Sequence, residues 1–345
     1  MIIDTNIHWL PKDFFTNRNL LNRFISLVPR GYDYDVKIAP IPGTDKRQIV
    51  ISRPKGFEVL NYSELEYNLK DRLKVMEEAG VDKAILRIPC WGEWADLETA
   101  KMINNMLAEE IKEYPEKFLG LAVVPPWGDE ESLDELDRAI KDLGLSGIVC
   151  SSHYGNLYLD EVEFKPFFKK VNQLDVPVCI HHTPLPVEYN SIYKFANLRR
   201  LIGRCLDQLI CVSRLLSSGL FEEFPNLKFI HTHIGGCFYA FINMIGFKTA
   251  MKEKIERFDI AADKVKKHLE KNVYFAIDPP NIWSKTQLEC AVKELGAEHM
   301  VFGSSYPVRR EWLLKGVEHI KSLEISDKEK KQILGENAAK IFKIK

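Results

Sequence analysis

The sequence lacks several features that would point to particular classes of protein. It has no excess of either charge, because 48 Lys and Arg face 49 Asp and Glu, for a formal net charge of −1. A protein that binds nucleic acid or an acidic membrane surface is usually basic, so we expect neither partner. No apolar stretch is long enough to span a membrane, and no Lys- or Arg-led apolar run opens the chain. We therefore expect no transmembrane helix and no signal peptide.

The cysteines also lack the spacing of a disulfide framework or a zinc finger. There are seven of them, an odd number, and no two form a Cys-x-x-Cys pair. This pattern predicts reduced, mostly buried thiols in a cytoplasmic protein. The chain has 345 residues, of which 46% are hydrophobic and 28% are charged, so it can bury a full core. We predict a single domain over residues 1–345, since no linker divides the chain.

Short apolar runs rich in β-branched residues alternate with longer segments of helical periodicity. The clearest helical segments have apolar residues at spacings of three and four and cover 63–80, 96–115 and 131–144. Eight runs are candidate strands, at 1–8, 83–89, 118–125, 146–152, 176–182, 227–233, 272–278 and 299–305. Strict alternation predicts an α/β fold with a parallel sheet, and eight units predict closure into a (β/α)₈ TIM barrel. A doubly wound open sheet is the alternative, but no Gly-x-Gly-x-x-Gly follows the first strand.

One connection is far longer than an ordinary βα turn. Residues 9–62 follow the first strand and include a stretch that could form a small β-hairpin. Long connections inside compact domains are usually functional or disordered, and this one leaves the carboxyl end of its strand. We predict that 9–62 is an insertion that forms a flap over the barrel mouth.

Polar side chains capable of chemistry stand at the ends of several predicted strands. They are His8, His181, His182, His233, Asp278 and Ser305. The carboxyl ends of barrel strands converge on one mouth, where barrel enzymes build their sites. Asn6 shares a face with His8, and His231 lies one layer deeper than His233. Alternation along a strand predicts that His181 and His182 point in opposite directions, with one of them toward the helices.

Several segments, in order, resemble one known family. They are IDTNIHWLP (3–11), VPVCIHHTP (176–184), LKFIHTHIGG (227–236), VFGSSYP (301–307) and ILGENAAKIFKI (333–344). The chain resembles the amidohydrolase superfamily, and within it the amidohydrolase-2 branch typified by aminocarboxymuconate semialdehyde decarboxylase and the resorcylate-type decarboxylases. The resemblance extends over nearly the whole chain and implies a TIM barrel, a small-molecule substrate and a homodimer.

The resemblance also implies a mononuclear divalent metal, often zinc. Its ligands would be two histidines of the first strand, a histidine of the fifth and an aspartate of the eighth. His8 and His181 match two of these positions, whereas Asn6 and Ser305 stand at the other two. An amide and a hydroxyl bind zinc poorly, so a zinc site here would be weakened or absent. His233 matches the sixth-strand histidine, which acts in acid–base chemistry.

Three interpretations of the metal site remain open from the sequence. A substrate carboxylate or a water could complete a weaker site. Asp278 or His231 could stand in for a missing ligand. Or the protein could work without a metal and use His8, His181 and His233 as polar catalytic groups.

The functional prediction combines these residues. We expect a carbon–carbon lyase of the decarboxylase type, or a hydrolase, acting on a small carboxylated cyclic or aromatic compound. The alternative is a non-catalytic relative that binds a small molecule or serves as an assembly subunit. The predicted catalytic residues are His8, His181 and His233, and the predicted substrate-binding residues are Asn6, Trp9, Arg87, Asp278 and Ser305.

Overall fold

The computed structural model describes residues 1–28, 34–53, 58–65, 67–183, 185–187, 190–192, 198–244 and 262–345. Its main sheet contains eight strands, and each neighbouring pair along it is parallel. In spatial order they are β1 (Ile3–His8), β5 (Lys83–Arg87), β6 (Phe118–Ala122), β7 (Gly147–Ser151), β10 (Val178–His181), β11 (Phe229–His231), β12 (Val273–Ile277) and β13 (Met300–Phe302).

The two outer strands of this sheet meet and nearly close a barrel. Just beyond β13, Tyr306 forms a parallel bridge with Ile7 of β1. The His8 amide donates to the Tyr306 carbonyl at 2.8 Å, and the Ser305 amide donates to the Asn6 carbonyl at 2.8 Å. The predicted TIM barrel is therefore confirmed, and each of the eight predicted strands is present with somewhat narrower bounds. The apolar patterns extend past the hydrogen-bonded ladder, which explains the narrower bounds.

Helices lie around the barrel and follow its strands. Ordinary capping explains several of their bounds: Asn68, Asp96 and Asp129 accept hydrogen bonds from first-turn amides, and Gly80 ends its helix at φ 68°. The described helices are Arg18–Ser26, Leu69–Ala79, Leu97–Ile111, Glu130–Lys141, Lys165–Leu174, Arg204–Ser217, Leu220–Glu223, Ala262–Asn272, Lys285–Leu295, Arg310–Leu314, Gly316–Lys321, Asp327–Lys331 and Asn337–Ile341. In these residues no helix is long and apolar enough to cross a membrane.

The long insertion forms a small sheet of its own. Its three antiparallel strands are β2 (Asp35–Pro40), β3 (Arg47–Ser52) and β4 (Glu58–Ser63), one more than the predicted hairpin has. Tyr62 of β4 packs on Trp91, which follows β5, with ring centroids 4.3 Å apart. The insertion is thus anchored beside the barrel mouth. Parts of it, 29–33 and 54–57, lie outside the described residues, and its role as a flap stays a prediction.

Two remaining short strands form a hairpin after β7. They are β8 (His153–Tyr154) and β9 (Leu157–Tyr158), and they pair antiparallel. The cysteines agree with the sequence-based prediction: none of the seven forms a disulfide, and four of them are buried.

Candidate active site

Four histidine rings gather at the mouth of the barrel. The ring centroids of His8 and His181 are 5.7 Å apart, and those of His181 and His182 are 4.0 Å apart. The His182 and His233 rings follow at 4.9 Å. The side chains of His181, His182 and His233 are buried, and that of His8 is partly exposed. The structure therefore brings the three predicted catalytic histidines into one group.

The direction of His182 differs from the sequence-based prediction. Alternation along a strand would send it toward the helices, away from His181. However, the hydrogen-bonded part of β10 ends at His181, so the backbone at His182 is no longer bound to the pleat. Both rings can then face the mouth.

A second group of polar side chains lies where β1, β12 and β13 end. The Asn6 side-chain nitrogen donates to Asp278 Oδ2 and, at 3.2 Å, to Ser305 Oγ. The other Asp278 oxygen accepts from the His233 backbone amide at 2.7 Å. Gly303 permits this packing, because a Cβ there would stand 2.8 Å from Asn6 Cβ and 3.1 Å from Asp278 Cβ. Three of the predicted substrate-binding residues thus form one hydrogen-bonded cluster.

Asp278 is an unusual carboxyl in this cluster. Burial raises its pKa to about 8, although the His233 amide, the Arg87 guanidinium and Asn6 all act in the opposite direction. The carboxyl is therefore largely protonated at neutral pH. A neutral carboxylic acid in a functional cleft can donate a proton, which an ordinary surface aspartate cannot.

The histidines have the opposite shift. Burial, and after it the charges of Arg204 and Arg87, lower the pKa of His233 to about 3. Burial also lowers the pKa values of His8 and His181 well below the usual value, with Arg87 as the next cause. These imidazoles are neutral at physiological pH, so each has a lone pair with which to accept a proton or a hydrogen bond.

Two arginines, one buried and one partly buried, act on the histidine group. Arg87 is 1% exposed, and its Nη2 lies 3.2 Å from His8 Nε2. Arg204, at the start of the helix that follows the fifth barrel strand, acts on the same histidines through its charge. A guanidinium in a low-dielectric cleft is a strong binder of carboxylate. Arg87 was predicted, but Arg204 was missed because it lies in a long connection with no strand end to mark it.

The segment that holds His233 has a left-handed backbone. Five consecutive residues, His233–Cys237, have φ between 53° and 68°. Only two of them are glycines, and such a run is costly for L residues. Gly236 is required at its position, because a Cβ there would be 1.8 Å from the Cys205 carbonyl oxygen. The turn directs the His233 amide at Asp278. The turn contains the glycine pair Gly235–Gly236 that is visible in the sequence.

Trp9 and His231, which the sequence analysis considered for the site, lie away from the histidine group. Trp9 is fully buried, and its Nε1 donates to Glu110 Oε2 at 3.0 Å, so the structure places it between barrel and helix rather than in the pocket. The reason is that residue 9 comes after the end of β1, where strand parity no longer gives the direction of a side chain. His231 lies deeper, with Nδ1 3.1 Å from Gln208 Oε1, and is not part of the group.

An open cleft of about 470 Å³ lies beside the mouth. Glu93 lines it, and burial raises the pKa of this carboxyl to about 7. Further residues of its wall are Leu27, Tyr34, Arg53, Trp94, Trp127, His153, Tyr154, Gly155, Asn156, Leu157, Leu185, Pro186 and Val187. The cleft is large enough for a small aromatic molecule, and its wall is mostly apolar and aromatic.

Comparison with known proteins identifies the family of the chain. The model of the family described as "Amidohydrolase" matches residues 3–344. The chain belongs to this family. The resemblance seen in the sequence segments is thereby confirmed over the length of the barrel.

Curated relatives of this amidohydrolase include decarboxylases. It is 28% identical over 304 residues to the gamma-resorcylate decarboxylase of Polaromonas sp. (strain JS666 / ATCC BAA-500). The alignment covers 82% of this chain and 91% of the relative. It is 29% identical over 293 residues to the 2-amino-3-carboxymuconate-6-semialdehyde decarboxylase of Dictyostelium discoideum, with 80% and 78% covered. A solved dihydroxybenzoic acid decarboxylase from Polaromonas sp. JS666, with bound manganese and the inhibitor 2-nitroresorcinol, has a TM-score of 0.70 at 21% identity, with 99% and 97% covered.

The residues at the positions that the resemblance implies for metal ligands contact one another and a neighbouring cation. Asn6 uses its side-chain nitrogen to donate to Asp278 and Ser305. His8 Nε2 lies 3.2 Å from Nη2 of Arg87, a guanidinium that can only donate. A divalent ion at this place would lie near the fixed charge of Arg87, and Asp278 is the carboxyl of this cluster that could supply a ligand charge.

Proposed function

We propose that this amidohydrolase is a decarboxylase that acts on a small aromatic or cyclic carboxylate. The observation that carries the proposal is the burial of the Asp278 carboxyl, which raises its pKa to about 8, in the same site as the buried guanidinium of Arg87. A decarboxylase needs a cation to hold the substrate and a proton to deliver to carbon. The curated relatives support the reaction class, since both are named decarboxylases.

The first step is binding. Arg87 and Arg204 place positive charge beside neutral imidazoles, and such charge attracts a carboxylate. A ring hydroxyl beside that carboxylate would find hydrogen-bond acceptors in His233 and in Asn6 Oδ1. The latter is buried and has no partner among the described residues. An unpaired buried acceptor is expected to bind a donor from the substrate.

The second step is exchange of carbon dioxide for a proton. The bond between the ring carbon and the carboxylate carbon breaks, its electron pair stays on the ring carbon, and carbon dioxide leaves. The ring carbon takes the proton of the Asp278 carboxyl, and the resulting carboxylate regains a proton from solvent. The proton is assigned to Asp278 and not to His233, the histidine for which the resemblance implies acid–base chemistry, because a pKa of about 3 leaves no proton on that ring.

His233 then has a role as an acceptor. Its neutral imidazole can accept a hydrogen bond from a ring hydroxyl and so raise electron density at the neighbouring ring carbon. The left-handed turn fixes this ring next to Asp278, through the 2.7 Å bond from its own amide. The same neutral imidazole would serve a hydrolase as the base that activates water, so the two reactions must be separated by experiment.

The test uses hydroxybenzoates with a ¹³C-labelled carboxyl group in D₂O. A decarboxylase releases labelled carbon dioxide and gives a product with one deuterium at the vacated carbon. A hydrolase acting on matched esters or amides releases an acid and no labelled carbon dioxide. Thermal stabilisation by these ligands without any product would instead support the non-catalytic alternative. Cytoplasmic location and a homodimer remain sequence-based predictions, and light scattering checks the second.

A further inference from the structure

A thiol and two imidazoles meet on the β10 side of the mouth. Cys90, His181 and His182 each place one donor atom within 4.8 Å of the others. The Cys90 sulfur lies 3.4 Å from His181 Nδ1. All three side chains are buried. None of the three occupies the first-strand or eighth-strand positions discussed above.

The local fold explains the meeting. Cys90 begins the short 3₁₀ turn Cys90–Glu93, directly after β5, and β10 ends at His181. The thiol therefore enters from one side of the mouth, and the two consecutive imidazoles enter from the other. His181 lies at the end of a strand, which holds a side chain more firmly than a loop does, and the other two ligands lie close to strand ends.

The separations are near those of a zinc site. Zinc bonds of about 2.3 Å to sulfur and about 2.0 Å to nitrogen place tetrahedral donors about 3.5 Å apart. Cys90 Sγ and His181 Nδ1 are already 3.4 Å apart, close to this value. The donor atoms of the three residues lie within 4.8 Å of one another, so the donor atoms would have to move by at most about an ångström to bind one ion. A change of side-chain rotation would suffice.

His182 gives an independent sign of a ligand. It is 4% exposed, and its Nδ1 is buried with no hydrogen-bond partner among the described residues. Leaving a buried nitrogen unpaired costs about 1–3 kcal/mol, so such groups usually have a function. A metal ion would satisfy this nitrogen.

The charge is also suitable. A thiolate supplies the negative charge that Asn6, His8 and Ser305 cannot give to an ion. An incoming zinc ion would displace the thiol proton to solvent, which balances the exchange of S–H for a zinc–sulfur bond.

We propose that Cys90, His181 and His182 form a Zn²⁺ site with three protein ligands, displaced from the position that the family resemblance implies. The site shares only His181 with that position. Three ligands leave the fourth tetrahedral position for a small exogenous ligand. The proposal does not depend on the decarboxylase assignment, because binding can be measured without turnover.

The experiment begins with metal-free protein and cobalt(II) as the probe. A near-ultraviolet charge-transfer absorption between thiolate and cobalt is expected in the wild type and should be lost in Cys90→Ser. Cys179→Ser is the matched control, since that thiol is also buried and lies on β10. Its spectrum should equal that of the wild type. X-ray absorption of the zinc form should show one sulfur neighbour at about 2.3 Å.

Zinc affinity, by competition with a chelator, gives a second readout. We expect Cys90→Ser and His182→Asn each to weaken binding by about 100-fold or more, and His8→Ala to change it by less than about threefold. Only nitrogen and oxygen neighbours in the wild-type absorption spectrum, or a large effect of His8→Ala with none of His182→Asn, would overturn the proposal. The wild-type spectrum decides even if a variant does not fold.

Discussion

The β1 side and the β10 side of the barrel mouth hold their polar groups in different ways. On the β1 side, Asn6, Asp278 and Ser305 are joined by hydrogen bonds, and a backbone amide adds a further bond. On the β10 side, Cys90 and His182 make few such bonds, and one imidazole nitrogen has none among the described residues. On the β1 side the hydrogen bonds fix the side chains and leave the amide oxygen of Asn6 without a partner among the described residues, whereas on the β10 side the atom without a partner is an imidazole nitrogen, which is a potential metal ligand.

The largest expected effect concerns the acid on the β1 side. Asp278→Asn keeps the shape of the side chain but removes the proton that we assign to the ring carbon. We expect the turnover of decarboxylation to fall by about 10²–10⁴-fold, the usual contribution of a positioned acid. Initial rates with the labelled substrate measure this. Cys179→Ser, which changes a buried group outside the β1 cluster, is the control, and a near-normal rate of Asp278→Asn would contradict the assignment.

A second prediction concerns moving zinc binding from the β10 side to the β1 side. In a Cys90→Ser background, the changes Asn6→His and Ser305→Asp together should create zinc binding at the β1 side. Each change alone should help little, because two ligands of one ion act together. We expect the double change to raise zinc affinity by at least about 10–100-fold more than the two single changes combined. Chelator competition across the four variants measures this, and additive effects would show that the two positions do not share an ion.

A third prediction concerns pH. The folded state holds the Asp278 proton up to about pH 8, whereas the unfolded chain releases it near the ordinary value of 3.8. Unfolding therefore releases a proton, and a rise in pH favours unfolding. From neutral pH to about pH 8 we expect the free energy of unfolding to fall, by at most about 1.4 kcal/mol per pH unit for this group.

The comparison variant for this measurement is again Asp278→Asn. Its urea unfolding should depend less steeply on pH across the same interval. The lowered pKa values of the buried histidines act in the other direction, so stability should also fall as the pH drops below about 6.5. Equal pH dependence of wild type and variant would mean that Asp278 ionises at its ordinary pKa.

The smallest expected effect compares two hydroxyls. Ser305→Ala removes a buried acceptor of the Asn6 amide, 3.2 Å away, and should lower the free energy of unfolding by about 0.5–1.5 kcal/mol. Ser26→Ala removes an exposed hydroxyl that donates to the Arg23 carbonyl, where water replaces the bond. It should change stability by less than about 0.5 kcal/mol. Urea denaturation of both variants tests whether the β1 network is worth more than a surface bond.

The sequence was sufficient for the barrel because its signal is repeated eight times. His8, His181, His233 and Asp278 could be predicted as site residues from their positions at strand ends, since parallel strands place their carboxyl ends at one mouth. These residues could be located before any contact was known.

Other parts of the site could not be read in this way. Trp9 and His182 lie one residue beyond a strand, where alternation no longer fixes a side chain. Cys90 and Arg204 become visible only in three dimensions, because nothing in a linear pattern brings the start of a turn and the start of a helix to one cleft. The protonated state of Asp278 depends on the summed burial of its surroundings, which no local motif encodes.

The left-handed turn His233–Cys237 has a consequence for the order of folding. Three of its residues are not glycine, and each L residue in this conformation costs about 1–2 kcal/mol. The sum is a sizeable part of the net stability of a typical domain. An isolated peptide of this sequence would therefore avoid the left-handed turn, and in the protein the bond from the His233 amide to Asp278 contributes to holding it. The position of His233 thus depends on the assembled barrel and not on the local sequence alone.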